Sequence, residues 1–276
     1  MAVTSEVSAA QAVALLDDLT ALVARASTLI RSMAEKGVSR RLKEDKSPVT
    51  AADEASEALI LEGLSRLLPG VPVIAEEMAA RGALPPLDAS FLVVDPLDGT
   101  KEFLAGTDEF TVNVAIVTRG VPILGVVSAP NRGLVWRGVV GAKAERLRML
   151  ADSADQAEPI RTRRWPQHDA VAVMSRSHLD AATEAFLTRL GPIARKPGGS
   201  AIKFCQIAEG AADVYPRLAT VCEWDVAAGQ ALLVAAGGIV ATPDGRPVAY
   251  GRSAENFRVP AFIAWGDPAK AAAMTA

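Results

Sequence analysis

The sequence predicts an N-terminal α+β half built on a largely antiparallel sheet, followed by a C-terminal α/β half. Three observations carry this. Apolar residues first recur at helical spacing, β-branched runs joined by a short glycine-containing turn follow, and strand and helix signals then alternate. With 276 residues, 50% of them apolar, the chain can bury a sizeable core.

Taken in order, Ser8 to Lys36 places Val13, Leu16, Ala21, Val23 and Ile30 among polar positions with no proline, and predicts a long amphipathic helix ending before Gly37. A second helix is expected over Asp53–Leu68, where Pro69-Gly70 stops it. Strands are expected at Val71–Ala75, Phe91–Val94, Thr111–Thr118, Val121–Ser128 and Leu134–Val140, the third and fourth forming a hairpin about Arg119-Gly120. Hairpins rule out an all-parallel sheet. From Ala151 to Asp169 the apolar pattern lapses among charges and prolines, which reads as a boundary between domains 1–155 and 156–276. Beyond it, strands Ala170–Met174, Ile193–Lys196 and Gly238–Ala241 alternate with helices Asp180–Leu190, Ser200–Glu209 and Val226–Ala236, and an alanine-rich helix is expected over Pro268–Ala276.

Charge and cysteine content narrow the partners. With 29 basic and 32 acidic residues the net charge is -3, so no global positive field exists to hold nucleic acid. A small anion remains compatible, because a bound cation supplies the local charge. Cys205 and Cys222 make no disulfide framework and lack metal-site spacing, so both are expected as buried hydrophobes in a reducing compartment. No apolar stretch reaches the roughly 20 residues a membrane span needs. The acidic start, with Glu6, Asp17 and Asp18, is unlike a signal peptide. The expectation is a cytoplasmic protein, monomer or homodimer, with peripheral membrane association still compatible.

The chemistry concentrates where strands end in acids. Phe91–Val94 runs into Asp95-Pro96-Leu97-Asp98-Gly99-Thr100, and two carboxylates three residues apart across a tight turn can point at one spot. Oxygen ligands of that kind suit Mg²⁺, and Pro96 could turn the Leu97 carbonyl to the same ion. Glu76-Glu77 ends another short strand, and Asp225 stands where a helix begins. Singly, each has a plainer reading: Asp98 and Asp225 as helix N-caps, Glu76-Glu77 as a solvated pair. Together they need neutralising, since two bare carboxylates about 4 Å apart repel by roughly 4 kcal/mol at an effective dielectric of about 20.

Glu76-Glu77, Asp95-Pro-Leu-Asp-Gly-Thr100 and Trp224-Asp225-Val-Ala-Ala-Gly229 in combination resemble the lithium-sensitive inositol monophosphatase superfamily. Ser47-Pro-Val-Thr-Ala-Ala-Asp53, Glu109-Phe-Thr-Val-Asn113, Ser175-Arg-Ser-His178 and Gly199-Ser-Ala-Ile-Lys-Phe-Cys205 narrow the likeness to its CysQ-type 3'(2'),5'-bisphosphate nucleotidase branch, over about residues 45 to 240. The resemblance implies a layered αβαβα sandwich and two or three Mg²⁺ ions, held by Glu76, Asp95, the Leu97 carbonyl, Asp98 and Asp225. Asp98 and Asp225 would share one ion with Asp95, Glu76 and Asp95 would hold another, and a third near Glu76 would help place the attacking water. Thr100 would orient that water and Asp53 would bond to Thr100, while Gly99, Thr100 and Lys101 open a helix able to receive a phosphate beside Asp225. Ser177 and His178 would meet the adenine, and Gly199, Ser200 and Lys203 the sugar or second phosphate. On the residues alone Lys203 reads as a solvated helix position and His178 as an ordinary helix-start residue. Met78 and Gly198-Gly199-Ser200 depart from the family's usual pattern without removing a metal ligand.

The implied activity is Mg²⁺-dependent hydrolysis of adenosine 3',5'-bisphosphate to AMP and phosphate, with 3'-phosphoadenosine 5'-phosphosulfate a further substrate. The competing readings are an inositol or sugar monophosphatase and, from another class, a non-catalytic nucleotide sensor, against which intact Glu76, Asp95, Asp98, Thr100 and Asp225 argue.

Overall fold

The computed structural model describes residues 6–36, 40–42, 48–176 and 180–275. Its elements in chain order begin α1 (Ala9–Lys36), β1 (Arg40–Leu42), β2 (Pro48–Thr50), α2 (Ala51–Leu67), β3 (Val73–Ala75) and α3 (Glu76–Ala80). Next come β4 (Ser90–Asp98), α4 (Thr100–Leu104), β5 (Thr111–Thr118), β6 (Val121–Ala129), β7 (Leu134–Val139), β8 (Lys143–Met149) and β9 (Ala154–Pro159). The second half holds β10 (Val171–Ser175), α5 (Ala181–Arg189), β11 (Ala194–Gly198), α6 (Ile202–Ala208), β12 (Val214–Arg217) and β13 (Val221–Cys222). It closes with α7 (Ala227–Ala235), β14 (Ile239–Ala241), β15 (Arg258–Val259), β16 (Phe262–Trp265) and α8 (Pro268–Thr275).

A seven-stranded sheet runs β3-β4-β5-β6-β7-β8-β9, parallel only between β3 and β4. Arg119 and Gly120 turn β5 into β6 with φ of 51° and 74°, the doubly positive turn that matches the twist of a tight hairpin. A five-stranded sheet runs β11-β10-β12-β16-β14, parallel through its first three strands and antiparallel at β16.

Alternating side chains stack these sheets into layers. In β4, Leu92 and Val94 join Leu19 and Val23 of α1 and Ile60 and Leu64 of α2. Phe91 and Val93 point the other way, into a core shared with Phe204 of α6 and Ala228 and Leu232 of α7. That same core takes Val171, Val173 and Tyr215 from the second sheet, whose opposite face sets Ala172, Val214 and Ile263 against Phe186 of α5 and Ala271 of α8. The result is the αβαβα sandwich the resemblance implies. Helix α7 lies so close on β6 that a Cβ at Gly125 would sit 2.1 Å from the Ala228 carbonyl oxygen.

The strands from Thr111 to Val139 fall where the sequence places them. Strands β8, β12 and β16 carry no prior assignment, and β9 occupies part of the stretch that reads as linker. Residues 160–170 connect the sheets, and the middle core draws on both halves, so neither buries its apolar face alone. Cys205 is buried as expected, but Cys222 is only half-buried, and its sulfur accepts the Asp225 backbone N–H. Among the described residues no helix is long and apolar enough to cross a membrane.

Candidate active site

The site grows from an irregularity in β4. Asp95 pairs with Asn113 and Asp98 with Thr111, so the register slips between them at Pro96-Leu97, where proline removes a ladder donor. Ser56 of α2 donates to the Pro96 carbonyl at 2.9 Å, and Leu97 donates its N–H to Asp95 Oδ1 at 3.0 Å. Asp95 is 1% exposed, and its Oδ2 has no hydrogen-bond partner. A buried carboxylate oxygen left in that state is costly unless a cation or proton meets it.

Asp98 Oδ2 accepts from the Ala201 N–H at 2.8 Å, Thr111 Oγ1 at 3.3 Å and Asn113 Nδ2 at 3.4 Å. The first of these comes from the other half of the chain. Asp225 ends a short 3₁₀ turn, Glu223–Asp225, and its Oδ2 accepts the Cys222 N–H at 2.8 Å. Glu223 anchors that turn by accepting the N–H groups of Gly251 and Arg252. The N-cap readings therefore fail: α4 is capped by Gly99, and α7 by Val226, neither with a side-chain bond.

Ligand oxygens of Asp95, Asp98 and Asp225 all lie within 4.8 Å of one another. Burial, followed by the charges of Asp98 and Glu76, pushes Asp225 up to about 8. Burial with the charges of Glu76, Asp98 and Asp225 holds Asp95 well above the usual carboxylate range, and burial raises Asp98 against the pull of Lys203. Glu76 lines the same cleft and is felt by both Asp95 and Asp225, although it stands outside the 4.8 Å trio. Glu77 turns inward at 4% exposure, so the pair is not a solvated one. Clustered hard oxygens, one of them an orphan, fit a small divalent cation such as Mg²⁺.

Thr100 opens α4 and donates to Asp53 Oδ1 at 3.0 Å, with the Leu97 carbonyl 3.4 Å from the same hydroxyl. Asp53 is fixed from behind, its Oδ2 accepting the Thr50 N–H at 2.8 Å and hydroxyl at 2.5 Å, and burial raises its pKa. Gly99 has φ of 94°, and a Cβ there would meet Ser200 Oγ at 2.8 Å, so only glycine suits this bend.

From the second half, Ser200 Oγ donates to the carbonyls of Asp98 at 3.0 Å and Glu109 at 2.6 Å. A Cβ at Gly199 would come within 2.5 Å of the Glu109 carbonyl. Lys203 is not solvated: it is 4% exposed, donates to the Ser200 carbonyl at 2.5 Å and lies 5.0 Å over the Tyr215 ring. Burial pushes it down to about 8 despite the nearby Asp98. Lys101, Gly198, Arg176 and Arg217 line the same cavity of about 300 Å³. Arg176, held bidentately by Glu109, lies within a stretch the sequence singles out, whereas Tyr215 and Arg217 belong to the unassigned β12. Ser177 and His178 lie outside the described residues.

A model of the inositol monophosphatase family matches residues 12–265. The 3'(2'),5'-bisphosphate nucleotidase CysQ of Escherichia coli (strain K12) is 40% identical over 223 residues, which is 80% of this chain and 86% of that one. Its namesake in Buchnera aphidicola is 36% identical over 245 residues, covering 87% and 88%. Among solved structures, CysQ from Bacteroides thetaiotaomicron superposes with a TM-score of 0.74 at 32% identity, covering 94% of this chain and 96% of that one. An inositol monophosphatase from Anabaena (Nostoc) sp. PCC 7120 superposes equally, at 25% identity over 95% and 94%.

Proposed function

The chain belongs to the inositol monophosphatase family, and on that premise we propose that it is a Mg²⁺-dependent phosphomonoesterase converting adenosine 3',5'-bisphosphate to AMP and phosphate. The observation that carries this is the meeting of Asp95 and Asp98 with Asp225, from opposite halves of the chain, within 4.8 Å. Asp95, Asp98 and Asp225 would hold one ion, and Glu76, Asp95 and the Leu97 carbonyl another, with a third near Glu76. When bound, Mg²⁺ supplies the positive charge that admits a phosphate dianion, lowers the pKa of a water and steadies the leaving oxygen.

The remaining work falls to this chain's own groups. Because Thr100 gives its hydroxyl proton to Asp53, its oxygen lone pairs are left for the attacking water. A proton from that water can pass to Thr100 Oγ1 while Thr100 passes its own to Asp53 Oδ1, whose raised pKa suits it to receive one. Gly99, Thr100 and Lys101 line the cavity from the first half of the chain and would receive the phosphate, while Gly199 and Ser200 line it from the second half and would meet the sugar or second phosphate. Lys203 and Arg217 line the same cavity and would offer positive charge to a second phosphate. The bisphosphate relatives support that substrate, and Ser177 and His178 are proposed to meet the adenine.

A phosphate-release panel tests the reading. With Mg²⁺, kcat/KM for adenosine 3',5'-bisphosphate should exceed that for inositol 1-phosphate by about tenfold to a hundredfold, the worth of one charge-assisted contact of roughly 1.5–3 kcal/mol kept in the transition state. Equal values would overturn the nucleotidase reading and leave the phosphatase standing. No phosphate release from either would overturn both.

A further inference from the structure

We infer that Glu57 is a positioning residue for the metal site, clamping both ends of α3 so that Glu76 stays beside Asp95. The inference rests on the proposed reading of Glu76 as a metal ligand. Helix α2 presents three buried side chains on one face, at spacings of three and four residues: Asp53, Ser56 and Glu57, each no more than 1% exposed. Each reaches a different part of the site. Asp53 takes the Thr100 hydroxyl and Ser56 donates to the Pro96 carbonyl. Glu57 reaches α3.

Helix α3 has only five residues, too few to persist by itself, and its N-cap Ala75 offers no side-chain bond. Glu57 supplies what is lacking. Its Oε2 accepts the N–H groups of Glu77 at 2.8 Å and Met78 at 3.2 Å, satisfying donors at the helix start. Its Oε1 accepts Arg81, the C-cap of the same helix, at 2.5 Å. One carboxylate thus pins the start and the end of the element that begins with Glu76. Glu76 lies close enough to Asp95 and Asp225 for its charge to be felt by both, so the placement of α3 bears directly on the carboxylate cluster.

Glutamine cannot replace Glu57 here. Every group facing its two oxygens is a donor, so either orientation of the amide sets N–H against N–H. Mg²⁺ alone, titrated calorimetrically into chelator-stripped full-length protein, tests the idea without reference to turnover. Glu76→Gln first identifies the binding phase that depends on Glu76. Glu57→Gln should weaken that phase ten- to a hundredfold, as loss of support behind a ligand does, and leave the other phase unchanged. The double variant should be no worse than Glu76→Gln alone, because both changes remove one thing. Arg81→Gln, at a half-exposed side chain, loosens only one end of the clamp and should weaken the same phase less; it decides the matter if Glu57→Gln does not fold. Parent-like Mg²⁺ binding in Glu57→Gln, or in Arg81→Gln where that variant decides, or losses that simply multiply in the double variant, would overturn the inference. Unchanged binding in Glu76→Gln would overturn the metal assignment of Glu76 and this inference with it.

Discussion

Lowering the pH from 8 to 6 should weaken Mg²⁺ binding about fiftyfold. Burial, Asp98 and Glu76 push Asp225 up to about 8, and Asp95 and Asp98 are raised for kindred reasons. The three carboxylates titrate as one cluster, so that value belongs to the proton an incoming ion displaces. A group with that pKa is about nine-tenths protonated at pH 7, and each unit below that costs about 1.4 kcal/mol, or tenfold in affinity. For the metal-free fold the sign runs the other way. Raised from 3.8 to about 8 by folding, Asp225 contributes stability that is full below pH 3.8 and lost as the pH climbs through 8. Mg²⁺ should therefore raise the melting temperature more at pH 8.5 than at pH 6. Calorimetric titration in two buffers of different ionisation heat reads both affinity and protons released. The expected result is about 0.9 proton per tight ion at pH 7 and an affinity that levels off above pH 8. Affinity that is flat from pH 6 to pH 9, with no proton released, would refute the reasoning.

Three further outcomes follow from the geometry. Asp53→Asn keeps the shape but removes the proton acceptor behind Thr100, so kcat should fall about a hundredfold or more with KM and Mg²⁺ affinity nearly unchanged, as single-turnover phosphate release would show. Gly199→Ala drives a methyl group against the Glu109 carbonyl, and the shifted loop should loosen the Ala201 bond to Asp98; overpacking of this kind costs about 1–3 kcal/mol, read as a lower melting temperature and weaker Mg²⁺ binding together. Lys203→Met preserves bulk and removes the charge, and should lower kcat/KM for the nucleoside bisphosphate at least about tenfold more than for a simple monophosphate.

Long apolar runs made the first sheet legible, since strands such as Thr111–Thr118 are buried on both faces and bounded by turn residues. Strand β9, Ala-Asp-Gln-Ala-Glu-Pro, lies at a solvated sheet edge and has no buried face to pattern its sequence. Strands β12 and β16 are four residues each, too short for a period to emerge. Lys203 reads as solvated because a lysine usually is; the sandwiching of α6 between two sheets, which buries Ile202 through Cys205, is a tertiary fact. The acids at strand ends announced the carboxylate cluster, as rigid elements ending in carboxylates tend to. What supports them did not show. Glu57 and Ser56 act on segments 20 and 40 residues away, and no local pattern marks such a bond.

The central claim, that carboxylates from both halves hold Mg²⁺ for phosphate release, is tested most directly by Asp225→Asn. Phosphate release from adenosine 3',5'-bisphosphate at saturating substrate should fall by about three orders of magnitude or more, as expected when the charge that retains an essential ion is lost. Circular dichroism should show an unchanged fold, since asparagine still accepts the Cys222 N–H. A variant that turns over at the parent's rate across the same Mg²⁺ titration would contradict the account.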